Sequence, residues 1–184
     1  MVSPVFFSFI MFCSWNVRGA GKKGFSRIIN DVRRLNHIDV FAILEPRISG
    51  VKAVKVIDKL GFSNRFIVDA VGFSGGLWLL WDDSKVKLRV VAHSKYTITA
   101  VVADDNNFWV LTVVYANPNA MLRRQLWSYL GAVRSCFRGP WLVIGDFNEI
   151  TNSSEKKGGR DGYSQTGFVE WINGNKMVDL GFIG

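Results

Sequence analysis

The fold-deciding segment is Trp141-Leu142-Val143-Ile144-Gly145-Asp146-Phe147-Asn148, where a strand-like apolar run stops at two polar side chains. Asp146 and Asn148 lie two positions apart, so an extended backbone would direct both side chains to the same side. A carboxylate and an amide at one strand end can handle a water molecule, a metal ion or a phosphate. The alternative is an Asx-type turn in which Asp146 caps whatever follows the strand.

Three other apolar runs also end at polar residues. The runs, each with the residue that ends it, are 12–15 with Asn16, 40–44 with Glu45 and 108–114 with Tyr115. In sheets covered by helices, ligands gather at one set of strand ends. We therefore expect the four polar strand ends to converge on one small, oxygen-lined pocket.

Length and composition favour one globular domain that covers residues 1–184. Hydrophobic residues make up 48% of the chain and only four residues are proline, which is typical of a chain with its own core. No apolar run is long enough to cross a bilayer, and the apolar N-terminus lacks the basic segment and cleavage site of a signal peptide. We therefore expect no membrane association and an intracellular location, in the nucleus or the cytoplasm. The sequence does not indicate an oligomeric state, so a monomer is the default.

The charge of the chain favours a polyanionic partner. Lys and Arg number 23 against 15 Asp and Glu, which gives a formal net charge of +8. Such an excess favours nucleic acid first and an acidic membrane surface second. The alternative is a basic surface with no specific partner.

Periodicity predicts which side chains are buried. The first helix has an apolar stripe of Phe25, Ile28, Val32 and Leu35, and the third has one of Leu122, Leu126, Tyr129, Leu130, Val133 and Phe137. Arg123, Arg124, Arg134 and Arg138 lie off the second stripe, which predicts that they are exposed. Cys13 and Cys136 have apolar neighbours and no CxxC spacing, so we expect two buried, reduced thiols and exclude a cysteine-based zinc site.

Several motifs, taken in order, resemble the endonuclease/exonuclease/phosphatase superfamily, and most closely the endonuclease domain of plant non-LTR (long interspersed) retrotransposons. The motifs are Ser14-Trp15-Asn16-Val17-Arg18-Gly19, Glu45, Ser74-Gly75-Gly76-Leu77-Trp78, Val114-Tyr115-Ala116, Gly145-Asp146-Phe147-Asn148, Phe168-Val169-Glu170-Trp171-Ile172 and Asp179-Leu180-Gly181-Phe182. Each motif is weak alone, but their number and order extend over nearly the whole chain from about Met11.

The resemblance implies an α/β fold, a four-layer α/β sandwich of two mixed sheets flanked by helices. It also implies hydrolysis of a DNA phosphodiester with Mg²⁺, or Mn²⁺ in its place. By resemblance, Asn16 and Glu45 would hold the metal, and Tyr115 would contact the scissile phosphate. Asp146 would orient or deprotonate the attacking water, and Asn148 would support the transition state. The side chains expected to grip the DNA backbone are Lys22, Lys23, Lys156, Lys157 and Arg160.

The chain departs from the family pattern at its end. The late Ser-Asp-His motif of the family does not occur before Gly184, and neither His37 nor His93 matches a family position. We therefore expect a fold that is incomplete at the C-terminus and a catalytic set that is impaired. Two alternatives stay open: a catalytically dead remnant that binds nucleic acid, and a phosphoesterase that acts on another substrate.

Overall fold

The structure is a computed structural model that describes residues 10–72, 75–104, 107–151 and 167–181. The strands are β1 (Phe12–Asn16), β2 (Val40–Leu44), β3 (Asn64–Val68), β4 (Leu77–Trp81), β5 (Lys87–His93), β6 (Thr97–Asp104), β7 (Asn107–Tyr115) and β8 (Trp141–Asp146). The helices are α1 (Phe25–Leu35), α2 (Gly50–Ile57), α3 (Ala120–Cys136) and α4 (Phe168–Gly174), with a 3-10 turn at Asp58–Leu60. The chain divides into two compact units, one from residues 1–115 and 140–146 and the other from 116–139 and 147–184.

The first unit contains two mixed sheets of four strands each. One has the order β1-β2-β4-β3, with β1 parallel to β2 and β4 antiparallel to both its neighbours. The other has the order β5-β6-β7-β8, with β7 parallel to β8 and the remaining pairs antiparallel. Because carboxyl ends of parallel strands meet at one edge, the ends of β1 and β2 share an edge, as do those of β7 and β8.

Two apolar layers stabilise this unit. Side chains that alternate along the strands of both sheets, such as Leu79 and Leu111, pack between the sheets. The opposite face of the first sheet, including Phe41, packs against Ile29 of α1 and Ala53 of α2. Strands β2 and β4 are therefore buried on both faces, which explains their uninterrupted apolar sequences. The predicted α/β sandwich of mixed sheets and helices is confirmed.

The second unit is built around α3 and α4. The side chain of Asn119 accepts a hydrogen bond from the Met121 backbone N–H and so caps the start of α3. An aromatic cluster then joins the two helices to the segment after β8: Trp127, Phe147, Phe168 and Trp171, whose ring centroids lie 4.9–6.3 Å apart. Large aromatic side chains bury much apolar area each, so this cluster contributes to the core of the second unit.

Three predictions of burial are wrong. On α3, Arg123 is buried together with Leu126, Trp127 and Leu130. Hydrogen-bond acceptors around the guanidinium compensate for its loss of contact with water. On α1, Ile29 is fully buried, whereas the predicted Ile28 and Leu35 are 53% and 72% exposed. The two cysteines are free thiols, as expected, but Cys136 is exposed at the end of α3 and Cys13 is only half-buried.

None of the helices within the described ranges combines the length and apolarity that crossing a bilayer requires.

Candidate active site

Four of the predicted site residues meet in the first unit. Asn16, Tyr115 and Asp146 are the last residues of β1, β7 and β8, and Glu45 follows β2 directly. Register places Asn16 opposite the residue before Glu45, and Tyr115 opposite Asp146. The polar side chains therefore occupy adjacent positions at the carboxyl ends of two parallel strand pairs, as the sequence predicts.

Hydrogen bonds connect the four side chains across the two sheets. The Asn16 Nδ2 donates to Asp146 Oδ2 at 2.8 Å and to Glu45 Oε1 at 3.2 Å. The Tyr115 hydroxyl donates to the same Glu45 Oε1 at 2.5 Å. One amide nitrogen thus bridges two carboxylates that lie 101 positions apart in the chain, and we call these four residues the carboxylate cluster.

The loop after β2 adopts an uncommon backbone conformation that directs Glu45 into the carboxylate cluster. Glu45 and Arg47 have φ angles of 52° and 56°, a region that non-glycine residues rarely occupy. Four backbone hydrogen bonds hold the loop, from Glu45 N–H to Gly76 O, Arg47 N–H to Gly75 O, Gly19 N–H to Glu45 O and Ala20 N–H to Pro46 O. Strain of this kind persists only where the surroundings fix it, and it often marks a functional site.

Gly76 is required for this loop to form. Its φ is +88°, and a Cβ at this position would lie 2.9 Å from Pro46 Cγ and 3.2 Å from the Ala70 backbone nitrogen. A side chain there would push Pro46, and with it the neighbouring Glu45, away from the cluster.

The Glu45 carboxyl is held in its ionised form. Burial alone would raise its pKa, because the side chain is only about 10% exposed. Hydrogen bonds from Tyr115, Asn16 and Arg47, together with the charge on Arg47, outweigh burial and lower the pKa below its usual range. Arg47 donates through both Nε, at 2.9 Å, and Nη2 to Glu45 Oε2, so the two oxygens of Glu45 have separate partners.

Tyr115 is held in its neutral form by the same contacts. Burial, the hydrogen bond to Glu45 and the negative charges of Glu45 and Asp146 raise its pKa well above that of an ordinary tyrosine. The phenol is therefore a hydrogen-bond donor at any physiological pH. A phenol has a single O–H, so donation to a phosphate oxygen requires that it first release Glu45.

Asp146 owes its position to Gly145. Gly145 has a φ of +145°, and a Cβ there would lie 1.9 Å from the Val114 carbonyl oxygen of the neighbouring strand. Only glycine allows β7 and β8 to approach this closely while they remain in register up to Tyr115 and Asp146. The strand ends at Asp146 and is half-buried throughout, rather than fully buried as an isolated apolar run suggests.

Asn148 belongs to the second unit. Its backbone is not extended, since its φ is +47°, so the simple rule that places residues i and i+2 on one side of a strand does not apply. Its Nδ2 donates to the Ala116 carbonyl at 2.7 Å and thereby ties the segment after β8 to the segment after β7.

The predicted basic residues fall in two groups. Lys22 and Lys23 are exposed in the loop that precedes α1. Lys156, Lys157 and Arg160 lie outside the described residues.

The carboxylate cluster fits a hard divalent cation. Carboxylate oxygens of Glu45 and Asp146 both approach a single point, which in the structure is the Asn16 amide nitrogen. Mg²⁺ commonly takes only one or two carboxylates and keeps several waters, so this donor set suffices. Among the described residues, no three or more His, Cys, Asp or Glu side chains are grouped so that they could hold a metal ion. The Asn16 Oδ1 accepts from the Arg18 N–H, so Asn16 offers its oxygen to an ion only after its amide rotates.

Two residues, one in each unit, were not predicted from the sequence. Arg47 forms an ion pair with Glu45. The two residues are two positions apart, with Pro46 between them, and this spacing does not predict that their side chains meet. The contact depends on the positive φ angles of both residues. Arg123 pairs with Glu149 in the second unit, and its place off the apolar stripe favoured exposure. The available clue was the acidic residue directly after Asn148.

Comparison with known proteins agrees with this architecture. Residues 13–180 match the sequence model of the Endonuclease/Exonuclease/phosphatase family. No match was found among curated protein sequences.

Three solved structures with the same fold are two endonucleases and a bacterial toxin. The endonuclease domain of TRAS1, a telomere-specific non-LTR retrotransposon, has a TM-score of 0.62 at 11% identity over 88% of this chain and 68% of its own. The AP endonuclease LMAP from Leishmania major has a TM-score of 0.64 at 12% identity over 90% and 65%. A β-hairpin deletion mutant of beta toxin from Staphylococcus aureus has a TM-score of 0.64 at 9% identity over 94% and 75%. This chain thus spans about two thirds to three quarters of their lengths.

The fold is a two-sheet α/β sandwich that these solved structures share. The chain belongs to the endonuclease/exonuclease/phosphatase family, since the family model covers most of its length.

Proposed function

We propose that this chain hydrolyses phosphodiester bonds in DNA with Mg²⁺ or Mn²⁺, as an endonuclease of the retrotransposon type. The observation that carries the proposal is the bridge from one Asn16 nitrogen to Glu45 and Asp146, with Tyr115 on the same Glu45 oxygen. The net charge of +8 supports DNA as the substrate. The motif order and the fold shared with the TRAS1 endonuclease domain support the retrotransposon type.

Each side chain of the cluster has a role that its surroundings allow. Glu45 supplies an ionised oxygen at neutral pH, because hydrogen bonds from Tyr115, Asn16 and Arg47 lower its pKa. Asp146 orients a water molecule and accepts its proton. Tyr115 keeps its own proton and donates to a phosphate oxygen after it leaves Glu45. A bound Mg²⁺ supplies neutralisation of the charge that builds on the phosphate oxygens.

The Asn148 amide is assigned to the developing charge of the transition state. It is held by its hydrogen bond to Ala116, and a preorganised donor of this type typically contributes about 10²–10³-fold in rate. Lys22 and Lys23, with Lys156, Lys157 and Arg160, grip the backbone without reading the base sequence.

A substrate panel tests the proposal. Purified protein is given supercoiled plasmid, a soluble phosphoinositide and a simple aryl phosphodiester, each with Mg²⁺ or with EDTA. We expect nicking of the plasmid in Mg²⁺ alone, and a loss of about 10²-fold or more in Glu45→Gln.

Other outcomes of the panel would replace the proposal. Turnover of the phosphoinositide without nicking would assign another phosphoester as substrate. Salt-sensitive plasmid binding with no turnover would identify a binding protein that lacks catalysis.

A further inference from the structure

Arg123 is a fully buried cation in the second unit. Only 7% of the residue is exposed, and its Nε donates to Glu149 Oε1, whose side chain is 8% exposed. Its Nη1 donates to the carbonyls of Asn117, at 3.0 Å, and Pro118, at 2.6 Å. A charge withdrawn from water in this way is tolerated only because several acceptors surround it.

These contacts join two chain segments that directly follow site residues. Asn117 and Pro118 come just after Tyr115, and Glu149 comes just after Asn148. A second tie runs beside the first, from Asn148 Nδ2 to the Ala116 carbonyl. The two segments are therefore cross-linked twice, at adjacent positions on both sides.

We propose that Arg123, through Glu149, is a positioning residue that fixes the Asn148 amide for catalysis. The proposal rests on the proposed function, in which Asn148 supports the transition state. Asparagine adopts a φ of +47° more readily than most residues, so the direction of the Asn148 amide depends on how the segment that carries it is held. Arg123 supplies the support from the rigid first turns of α3.

The Arg123–Glu149 ion pair contributes more to the orientation of the segment after Asn148 than to the stability of the fold. Replacing both members of a buried ion pair with apolar residues of similar volume often costs little stability, whereas removing one member leaves the other charge buried and unpaired. A guanidinium, however, is a planar fork whose acceptors must lie in fixed directions. The carbonyls of Asn117 and Pro118 fix the orientation of the guanidinium. The direction of its Nε–H then determines where the Glu149 carboxylate lies.

The first test compares two arginines of α3. Arg134 also donates to two backbone carbonyls, those of Phe137 and Gly139, but at the opposite end of the helix. We expect Arg123→Met to lower the melting temperature, because it leaves Glu149 buried without its partner. It should also lower the kcat for plasmid nicking about 10- to 100-fold with KM unchanged. Arg134→Met should lower the melting temperature and leave kcat unchanged. Equal effects of both substitutions on kcat would reduce Arg123 to a structural residue.

A double-mutant cycle separates positioning from general damage. In an Asn148→Ala background, Arg123→Met should cause no further fall in kcat, because the group it positions is already gone. Multiplicative losses would contradict the proposal. Arg123→Lys keeps the charge but loses the planar set of N–H donors. We expect this variant to fold and still to lose most of the kcat.

A measurement without activity separates this proposal from the proposed function. In ¹⁵N-labelled protein, the side-chain NH₂ resonances of Asn148 should shift or broaden in Arg123→Lys and stay unchanged in Arg134→Met. If they shift while the unsubstituted protein does not nick DNA, the positioning role stands and the nuclease proposal fails. Resonances unchanged in Arg123→Lys would overturn the positioning role whatever the activity.

Discussion

At the scale of single residues, Asn16 determines how the carboxylate cluster behaves without a cation. Its amide nitrogen is the shared donor of Glu45 and Asp146, so it offsets part of the repulsion between two negative charges. In the proposed function, a cation held by Glu45 takes over part of that role. Asn16 is therefore the position at which the stability of the protein and the proposed binding of a cation are coupled.

Asn16→Asp tests this coupling. The substitution removes the donor and adds a third negative charge, so we expect a loss of about 1–3 kcal/mol in EDTA. Mg²⁺ should recover much of that loss, measured as the melting temperature with and without the ion. Asn30→Asp is the matched control, since Asn30 on α1 also loses a hydrogen bond, to the Lys59 carbonyl, and this contact involves none of the cluster residues. Recovery by Mg²⁺ that is equal in both variants would contradict the assignment of the ion.

The lowered pKa of Glu45 predicts a pH dependence of stability. The folded protein favours the ionised carboxyl. Glu45 therefore stabilises the fold at pH values above 4.5, the pKa of this carboxyl in the unfolded chain. That contribution disappears as the pH falls through the lower folded pKa. In urea unfolding from pH 7 to pH 3, Glu45→Gln should flatten the acid loss of stability relative to the unsubstituted protein. Parallel curves for the two proteins would mean that Glu45 is not held in its charged form.

At the scale of elements, the strands were predictable and the loops were not. Uninterrupted apolar runs identify β2 and β4, and the polar residues that end β1, β2, β7 and β8 indicate where chemistry gathers. Backbone conformation after those ends was not predictable, because the positive φ angles of Glu45, Arg47 and Asn148 come from tertiary contacts. The same holds for Arg123, whose burial depends on acceptors supplied by two other segments.

Gly145 is required by the close approach of two strands, whereas Gly131 can be replaced. Gly145→Ala would place a Cβ 1.9 Å from the Val114 oxygen, so we expect a loss of about 3 kcal/mol or more as β8 separates from β7. Gly131→Ala lies inside α3 with no atom within 4 Å of the added Cβ, and it should stabilise by about 0.5–1 kcal/mol. Chemical denaturation measures both, and a mild effect of Gly145→Ala would show that β8 pairs with β7 in another way.

At the scale of the whole molecule, the excess positive charge is the property that relates the fold to a polyanion. Charge was read directly from composition, whereas its distribution depends on loops such as the one that carries Lys22 and Lys23. Residues such as these set the salt dependence of binding rather than its sequence preference.

The salt dependence of DNA binding tests this assignment. Replacing both Lys22 and Lys23 with alanine should reduce the slope of log K against log salt concentration by about 1.8, or 0.9 for each lost phosphate contact. The control replaces Lys85 and Lys87, which are also exposed and carry the same charge but lie in the turn before β5 and at its first residue. Fluorescence anisotropy with duplex DNA measures the slope, and an equal change in both variants would show a general charge effect in place of a defined contact.

The central claim, that the carboxylate cluster hydrolyses DNA, is tested most directly by the initial rate of plasmid nicking in Asp146→Asn and the unsubstituted protein. The substitution keeps the size and one acceptor oxygen but removes the proton acceptor, and a melting temperature matched to that of the unsubstituted protein is the check that the fold is intact. We predict nicking that requires Mg²⁺, stops with EDTA and slows by about 10³-fold or more in Asp146→Asn. Equal rates for the two proteins, or nicking that continues in EDTA, would contradict the claim.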